Sequence, residues 1–194
     1  MQLNVATTLT WIRIALIPAF VGVYYLPHDW LNPTQQNWTG ALIFTFAAIT
    51  DWADGFAARR LGQTSAFGAF LDPVADKLMV AAALLLLVQM DRADAILAFI
   101  IVGREIAISA LREWMAKIGQ SKSVAVNTLG KFKTAAQLTA LIALLLYEPF
   151  FPGIPPPLLG KCALVIAAAL TLWSMFYYLK FAWPHLSKPQ KFLD

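Results

Sequence analysis

The stretch "DWADGFAARRLGQTSAFGAFLDPVADK", residues 51–77, places four aspartates between two apolar segments. The segment before it is "ALIFTFAAIT" and the segment after it is "LMVAAALLLLV". Asp51 and Asp54 are three residues apart, so they lie on one face of a helix. Asp72 and Asp76 are four residues apart and lie on one face of a second helix. Two helices that meet at a turn here would direct four carboxylates at one another.

Four carboxylates in a partly dry cleft need a positive counter-charge, and divalent metal ions are the natural one. Oxygen ligands favour Mg²⁺, Mn²⁺ or Ca²⁺ over zinc, and no histidine or cysteine lies nearby. Gly55, Ala58 and Gly68 leave room for a bulky group beside the backbone. The alternative is a solvated loop with scattered charges, but acidic groups at membrane depth are functional by default.

The composition is that of a membrane protein. The 194 residues are 59% hydrophobic and 13% charged, with a mean hydropathy of +0.63, whereas soluble domains are about 25% charged. The length predicts a single domain over residues 1–194. The net charge of +4 favours anionic lipids and anionic substrates as partners, and nucleic acid is not expected.

Six apolar segments are long enough to cross a bilayer core of about 30 Å, which needs about 20 helical residues. The sequence therefore predicts an all-α protein with six transmembrane helices. The segments are Thr8–Leu26, Trp38–Leu61, Gly68–Gln89, Ala93–Met115, Leu129–Tyr147 and Leu158–Phe181.

Basic residues are distributed unequally between the two sets of loops. Arg92 is the one lysine or arginine in the loops that follow the first, third and fifth segments, and Lys161 lies just inside the sixth segment. The positive-inside rule therefore places both termini and the loop of residues 60–67 in the cytoplasm. The basic residues on that side are Arg59, Arg60, Lys77, Arg112, Lys117, Lys122, Lys131, Lys133, Lys180, Lys188 and Lys191.

Residues 51–76 match the pattern D-x₂-D-G-x₂-A-R-x₈-G-x₃-D-x₃-D at every fixed position. The match resembles the signature of the CDP-alcohol phosphotransferases, integral membrane enzymes with six helices. The resemblance implies that Asp51, Asp54 and Asp72 hold two divalent cations, Mg²⁺ or Mn²⁺. It also implies that Asp76 is a shared metal ligand and the general base. The CDP-diacylglycerol site implied by the resemblance comprises Thr7, Thr10, Gly55, Ala58, Arg59, Ser65 and Gly68.

A second group of charged residues lies in the fourth and fifth segments. "GREIAISALREW", residues 103–114, contains Arg104, Glu105 and Arg112, and "GKFKTAAQ", residues 130–137, contains Lys131 and Lys133. A structural ion pair is the alternative for Arg104, and ordinary positive-inside distribution is the alternative for the lysines. Together the four cations predict a basic pocket for the phosphate of a phosphorylated acceptor.

The opening "NVATTLTWIRI", residues 4–14, resembles bacterial family members whose acceptor is sn-glycerol 3-phosphate. One departure is Ala6, where many relatives have proline, and an N-cap is the alternative role of Thr7. The resemblance implies transfer of a phosphatidyl group from CDP-diacylglycerol to glycerol 3-phosphate, with release of CMP. It also implies a homodimer in the bacterial cytoplasmic (inner) membrane, with the active site facing the cytoplasm.

Other acceptors and another class of protein remain alternatives. Inositol phosphate or serine could replace glycerol 3-phosphate within the family. A divalent-cation transporter is disfavoured, because transporter sites lie near the membrane midplane at the interface of repeated halves. The aspartate cluster instead adjoins one predicted cytoplasmic turn and has no second copy.

Overall fold

The computed structural model describes residues 5–61, 66–119, 128–148 and 155–186, with side chains for 8–51, 71–119, 133–148, 155 and 157–184. Within these ranges the chain forms six α-helices and no β-strand, which confirms the prediction of an all-α fold. Thr7 lies inside the first helix and is not its N-cap. The helices are Val5–Val23 (α1), Pro33–Leu61 (α2), Ala66–Gln89 (α3), Ala95–Lys117 (α4), Thr128–Leu146 (α5) and Pro156–Leu186 (α6).

Hydropathy alone identifies one candidate membrane span among the described residues, Pro157–Pro184 within α6. Shorter apolar stretches occupy Thr8–Val23 in α1 and Lys133–Leu146 in α5. Charged residues reduce the hydropathy of other helices, as Arg104 and Glu105 do near the middle of α4. The described residues thus form an all-helical architecture, but hydropathy does not identify six membrane spans among them. The six-span arrangement stays a prediction.

The apolar core lies at one end of the helical bundle. Its residues come from the second halves of α1, α3 and α5 and from the first halves of α2, α4 and α6. Helix α5 packs against α2, α3 and α6, and α3 packs against α1, α2, α4 and α5. The largest fully buried side chains of this core are Phe20, Phe44, Leu84, Leu87, Ile101, Leu141, Leu144, Leu145 and Leu164.

Arg92 connects α2 and α5 at this apolar end. Its Nη1 donates to Asn37 Oδ1 at 2.8 Å and to the carbonyl oxygens of Leu145 at 3.0 Å and Leu144 at 3.3 Å. Its Cζ lies 4.3 Å from the centroid of the Tyr147 ring. The last carbonyls of a helix have no partner within the helix, so Arg92 caps α5 while it joins the α3–α4 turn to α2. Burial lowers the pKa of this guanidinium, which an arginine tolerates without losing its proton.

Two of the three helices that begin at this end, α4 and α2, are capped by side chains at their N-termini. Asp94 Oδ1 accepts from the backbone N–H groups of Ile96 at 2.8 Å and Leu97 at 3.2 Å, which caps α4. Before α2, the Asn32 and Gln35 side chains each accept from the other residue's backbone N–H. These caps fix where the helices start and therefore which of their faces point into the bundle.

At the opposite end of the bundle the buried side chains include many polar ones. This end is formed by the first halves of α1, α3 and α5 and by the second halves of α2, α4 and α6. Buried polar groups need hydrogen-bond partners, so this end is where a functional site is expected. The buried polar residues here are Thr10, Arg13, Thr50, Arg104, Lys133, Gln137, Thr171 and Ser174.

Candidate active site

Two carboxylates from different helices share one cation of α1. Arg13 Nη1 donates to Asp76 Oδ1 at 2.8 Å and lies 3.1 Å from Asp51 Oδ1. The Arg13 side chain is 1% exposed, whereas those of Asp51 and Asp76 are 46% and 42% exposed. The guanidinium is therefore buried behind the two carboxylates, which are themselves partly exposed.

Thr10 contacts the third described aspartate of the motif. Its Oγ1 donates a hydrogen bond to Asp72 Oδ1. Thr10 and Arg13 are three residues apart and lie on one face of α1, so a single helical face supplies both contacts. Asp51 and Asp76 contact the same guanidinium, and Asp72 lies four residues before Asp76 on α3.

The donor chemistry of this cluster fits a hard divalent cation. Its carboxylate oxygens are the ligands that Mg²⁺ and Mn²⁺ prefer, and Asp51 and Asp76 are already arranged around one positive charge. Among the residues whose side chains are described, no three metal-ligating groups are close enough to hold an ion as they stand. Asp54 lies outside those side chains, so the four-carboxylate ligand set stays a prediction.

A cavity of about 210 Å³ opens above the carboxylates. Its lining residues come from α1, α2, α3, α4 and α5, and its lining surface is largely apolar. The carboxylates of Asp51 and Asp76 border this cavity and are also partly exposed to solvent. The polar lining residues that matter here are Arg13, Asp51, Asp76, Lys77, Glu105 and Gln137.

A second cavity, of about 550 Å³, adjoins the first between α3, α4, α5 and α6. Asp76, Lys77 and Glu105 line both cavities, so these residues stand where the two spaces meet. Three of the four cations predicted to form a basic pocket line the second cavity, namely Arg104, Arg112 and Lys133. The fourth, Lys131, has no described side chain.

Two of these cations are buried and share one carboxylate. Glu105 Oε1 accepts a hydrogen bond from Lys133 Nζ and lies 3.3 Å from Arg104 Nη1. Arg104 Nη2 donates to Ser174 Oγ at 2.8 Å, which connects α4 to α6. The ion pair considered as an alternative role for Arg104 is thus present, and it lies in the wall of the cavity.

Three residues of the site were missing from the residues predicted by sequence. Arg13 has no role among the residues predicted from the sequence, although a buried intramembrane arginine signals a functional position. Lys77 was assigned only to positive-inside distribution, yet its Nζ donates to Ser109 Oγ at 2.6 Å between the two cavities. Glu105 was considered only as a partner in an ion pair. Their sequence spacing does not reveal which helices they contact.

Several predicted residues lie outside the described side chains, so their roles stay predictions. Most were assigned to the CDP-diacylglycerol site or to the metal ligands. They are Thr7, Asp54, Gly55, Ala58, Arg59, Ser65, Gly68 and Lys131.

Comparisons with known proteins identify the family of the chain. Residues 3–173 match the family model of CDP-alcohol phosphatidyltransferase. A relative from Pectobacterium atrosepticum is 54% identical over 97% of this chain and 100% of its own. A relative from Pseudomonas fluorescens is 50% identical over 95% of this chain and 92% of its own. Both are named CDP-diacylglycerol–glycerol-3-phosphate 3-phosphatidyltransferase.

Replacing the shared cation tests its structural contribution. We expect Arg13→Gln to lower the unfolding temperature in detergent, because Asp51 and Asp76 would then repel each other without a counter-charge. A hydrogen bond to a charged group contributes about 1.5–3 kcal/mol, and the partial exposure of both carboxylates favours the lower part of that range. Tryptophan fluorescence during heating measures the change.

The matched control is Lys161→Gln, which removes one positive charge from an exposed position of α6. Equal unfolding temperatures for the two variants would contradict the role assigned to Arg13.

Proposed function

Because the chain belongs to the CDP-alcohol phosphatidyltransferase family, we propose that it transfers the phosphatidyl group of CDP-diacylglycerol to sn-glycerol 3-phosphate. The products are phosphatidylglycerophosphate and CMP. Relatives named for this reaction are at least 50% identical to it over nearly the whole chain, and residues 1–194 form one catalytic domain. The observation that carries the proposal is the place of Asp76, where a carboxylate-lined cavity meets a cation-lined one.

The reaction exchanges one phosphorus–oxygen bond for another. The acceptor hydroxyl oxygen attacks the β-phosphorus of CDP-diacylglycerol, and the bond from that phosphorus to the CMP oxygen breaks. Asp76 takes the proton of the attacking hydroxyl. Its carboxylate is suited to this role because it touches both cavities and is held from below by Arg13 Nη1 at 2.8 Å. A general base must lie within hydrogen-bond reach of the proton that it removes.

The first cavity and the α2–α3 turn form the donor side. Asp51, Asp54, Asp72 and Asp76 would hold two divalent cations, Mg²⁺ or Mn²⁺. Such cations, when bound, neutralise the diphosphate and stabilise the departing CMP. Thr10 contributes by orienting Asp72 through their hydrogen bond. The remaining donor contacts fall to Thr7, Gly55, Ala58, Arg59, Ser65 and Gly68.

The second cavity forms the acceptor side. Arg104 and Lys133 are 9% and 5% exposed, and buried cations attract a phosphate strongly because little water screens them. Arg112 lines the same cavity from an exposed position, and Lys131 lies two residues before Lys133. This arrangement binds the acceptor phosphate, which takes no part in bond exchange, and leaves the acceptor hydroxyl free to reach Asp76.

A location in the bacterial cytoplasmic membrane agrees with the surface of the bundle. Large apolar side chains face outward from α4 and α6, with Phe99 77%, Phe176 72% and Trp183 72% exposed. Extended exposed apolar surface is unfavourable in water and marks contact with lipid or another protein. We propose that all six helices cross the bilayer, with the polar end of the bundle facing the cytoplasm. The homodimer implied by the family resemblance stays a prediction.

The acceptor is tested by measuring CMP release from purified protein supplied with CDP-diacylglycerol and Mg²⁺. We expect release with sn-glycerol 3-phosphate and little with serine, because the acceptor pocket is built for a phosphate. Little release is expected with inositol phosphate, because the relatives of at least 50% identity are named for glycerol 3-phosphate. Product identity is checked by mass spectrometry of the lipid. CMP release with serine alone would assign the protein to another reaction of the same family. Absence of CMP release with every acceptor would contradict the proposed function.

Removing single carboxylate charges tests the cation site. We expect Asp51→Asn, Asp72→Asn and Asp76→Asn each to lower turnover by at least about a hundredfold, a typical effect of losing a general base or its equivalent. A chelator should abolish wild-type turnover, and added Mg²⁺ or Mn²⁺ should restore it. Asp29→Asn, at an exposed position of the α1–α2 loop, is the control and should keep full activity. Full wild-type turnover in excess chelator would refute the cation site.

Cysteine labelling tests the orientation. In a Cys162→Ser background, which removes the one native cysteine, His28→Cys should react with a membrane-impermeant maleimide added to intact spheroplasts. Lys117→Cys should react only after the membrane is permeabilised, because it lies at the polar end of the bundle. Both positions are exposed, so burial does not explain a difference. The reverse pattern of labelling would overturn the orientation.

A further inference from the structure

Glu105 occupies the position where the acceptor phosphate is expected to bind. Its Oε1 accepts from Lys133 Nζ and lies 3.3 Å from Arg104 Nη1, so one carboxylate pairs with both buried cations of the pocket. The Glu105 side chain is itself 25% exposed and lines both cavities. It is therefore the most accessible member of a cluster whose two cations lie deeper.

Arg104 retains binding capacity that Glu105 and Ser174 do not use. Nη1 faces Glu105 and Nη2 donates to Ser174 Oγ, but the buried Nε–H has no hydrogen-bond partner among the residues that the structure describes. A buried donor without a partner is unfavourable and rare in native proteins. Arg104 lines the second cavity, so an anion with several oxygens that enters this cavity brings further acceptors to the guanidinium.

We propose that Glu105 is a displaceable internal anion that selects phosphorylated acceptors, a role that rests on the proposed function. In the acceptor-free enzyme its carboxylate holds Lys133 and Arg104. The incoming phosphate dianion replaces it on both cations. A phosphate has enough oxygens to bind Lys133, Arg104 and Arg112 together, whereas a carboxylate has two oxygens.

This competition makes the enzyme select acceptors by their charge. A dianion that takes the place of a single carboxylate strengthens the attraction to the two buried cations, and a neutral polyol supplies no charge to replace it. Displacement by an uncharged acceptor would leave Lys133 and Arg104 buried without a counter-charge, which is strongly unfavourable. Selection thus arises from the unfavourable complex with the wrong acceptor as well as from attraction to the right one.

Lys77 offers the displaced carboxylate of Glu105 another cation in the same cavities. Lys77 lines the same two cavities as Glu105, and its Nζ is held by Ser109 Oγ at 2.6 Å. Glu105 can therefore exchange one positively charged partner for another without leaving the site.

The test uses inorganic phosphate as a competitive inhibitor against sn-glycerol 3-phosphate, in the full-length enzyme with CDP-diacylglycerol. We expect Glu105→Gln to lower the inhibition constant of phosphate by about tenfold, because the variant no longer supplies a competing charge. The KM for glycerol 3-phosphate should fall with it, and the KM for CDP-diacylglycerol should stay the same. A merely damaged site would bind phosphate more weakly, so tighter binding distinguishes the two roles.

Two further variants keep the test decisive. Glu105→Asp keeps the charge but shortens the side chain by one methylene, so it should fold and show a smaller shift in the same direction. Glu113→Gln is the control, because Glu113 lines the second cavity but pairs with exposed Lys117 at 3.2 Å, and its phosphate inhibition should match the wild type. The wild type itself should be inhibited by methyl phosphate, a dianion, at least about tenfold more strongly than by dimethyl phosphate, a monoanion.

Unchanged or weaker phosphate inhibition in both Glu105 variants overturns the inference, and so does equal inhibition of the wild type by methyl and dimethyl phosphate. In either case CMP release with glycerol 3-phosphate would persist and the proposed function would stand. If the wild type releases no CMP with glycerol 3-phosphate, the proposed function itself fails.

Discussion

The buried guanidinium of Arg13 allows carboxylates from α2 and α3 to lie side by side at one end of an apolar bundle. Without it, Asp51 and Asp76 would repel each other and push their helices apart. Taking an arginine out of water is itself unfavourable, and short hydrogen bonds must offset that loss. The two contacts of one nitrogen, at 2.8 and 3.1 Å, provide this compensation. Every other feature of the polar end, from Thr10 on Asp72 to the cavity above, depends on these helices meeting.

The two ends of the bundle use arginine for different purposes. At the apolar end, Arg92 caps α5 and joins it to α2 around a tightly packed core. At the polar end, Arg13 and Arg104 lie in the walls of cavities that are large enough for small molecules. A packed end resists deformation, so it fixes the relative positions of helices whose other halves form open space. Because one end of the bundle is rigid, the other end can contain cavities and still hold the side chains of the site in place.

Prediction from sequence succeeded where the signal is local. Apolar runs and their breaks located six helices, and the fixed spacing of residues 51–76 identified a family that the comparisons confirm. Contacts between distant segments were out of reach, because no periodicity shows that Arg13 faces Asp76 or that Glu105 faces Lys133. The basic pocket was predicted from charge alone; three of its four cations line the second cavity, and the prediction gave the carboxylate of Glu105 no part in the pocket. The number of charged residues in a segment predicts that a charged region forms there. The packing of the helices decides which of these residues form ion pairs.

Both charge clusters of the polar end are held by internal ion pairs, and this bears on how one small site can accept two polyanions. Arg13 is held by Asp51 and Asp76, and Lys133 and Arg104 are held by Glu105. Bare charges in a weakly hydrated cavity would destabilise the bundle, and a strongly positive cavity would bind any anion. With each cation already partnered, a substrate enters by exchanging partners. In the proposed reaction the donor diphosphate would arrive with divalent cations at the carboxylates of Asp51 and Asp76, and the acceptor phosphate would replace Glu105. Since Asp76 and Glu105 border the same two cavities, both exchanges would take place close to the point where the new phosphorus–oxygen bond forms. The two negatively charged substrates could then lie close together, because the donor would bring its own cations and the acceptor would take over the cations that pair with Glu105 in the empty protein.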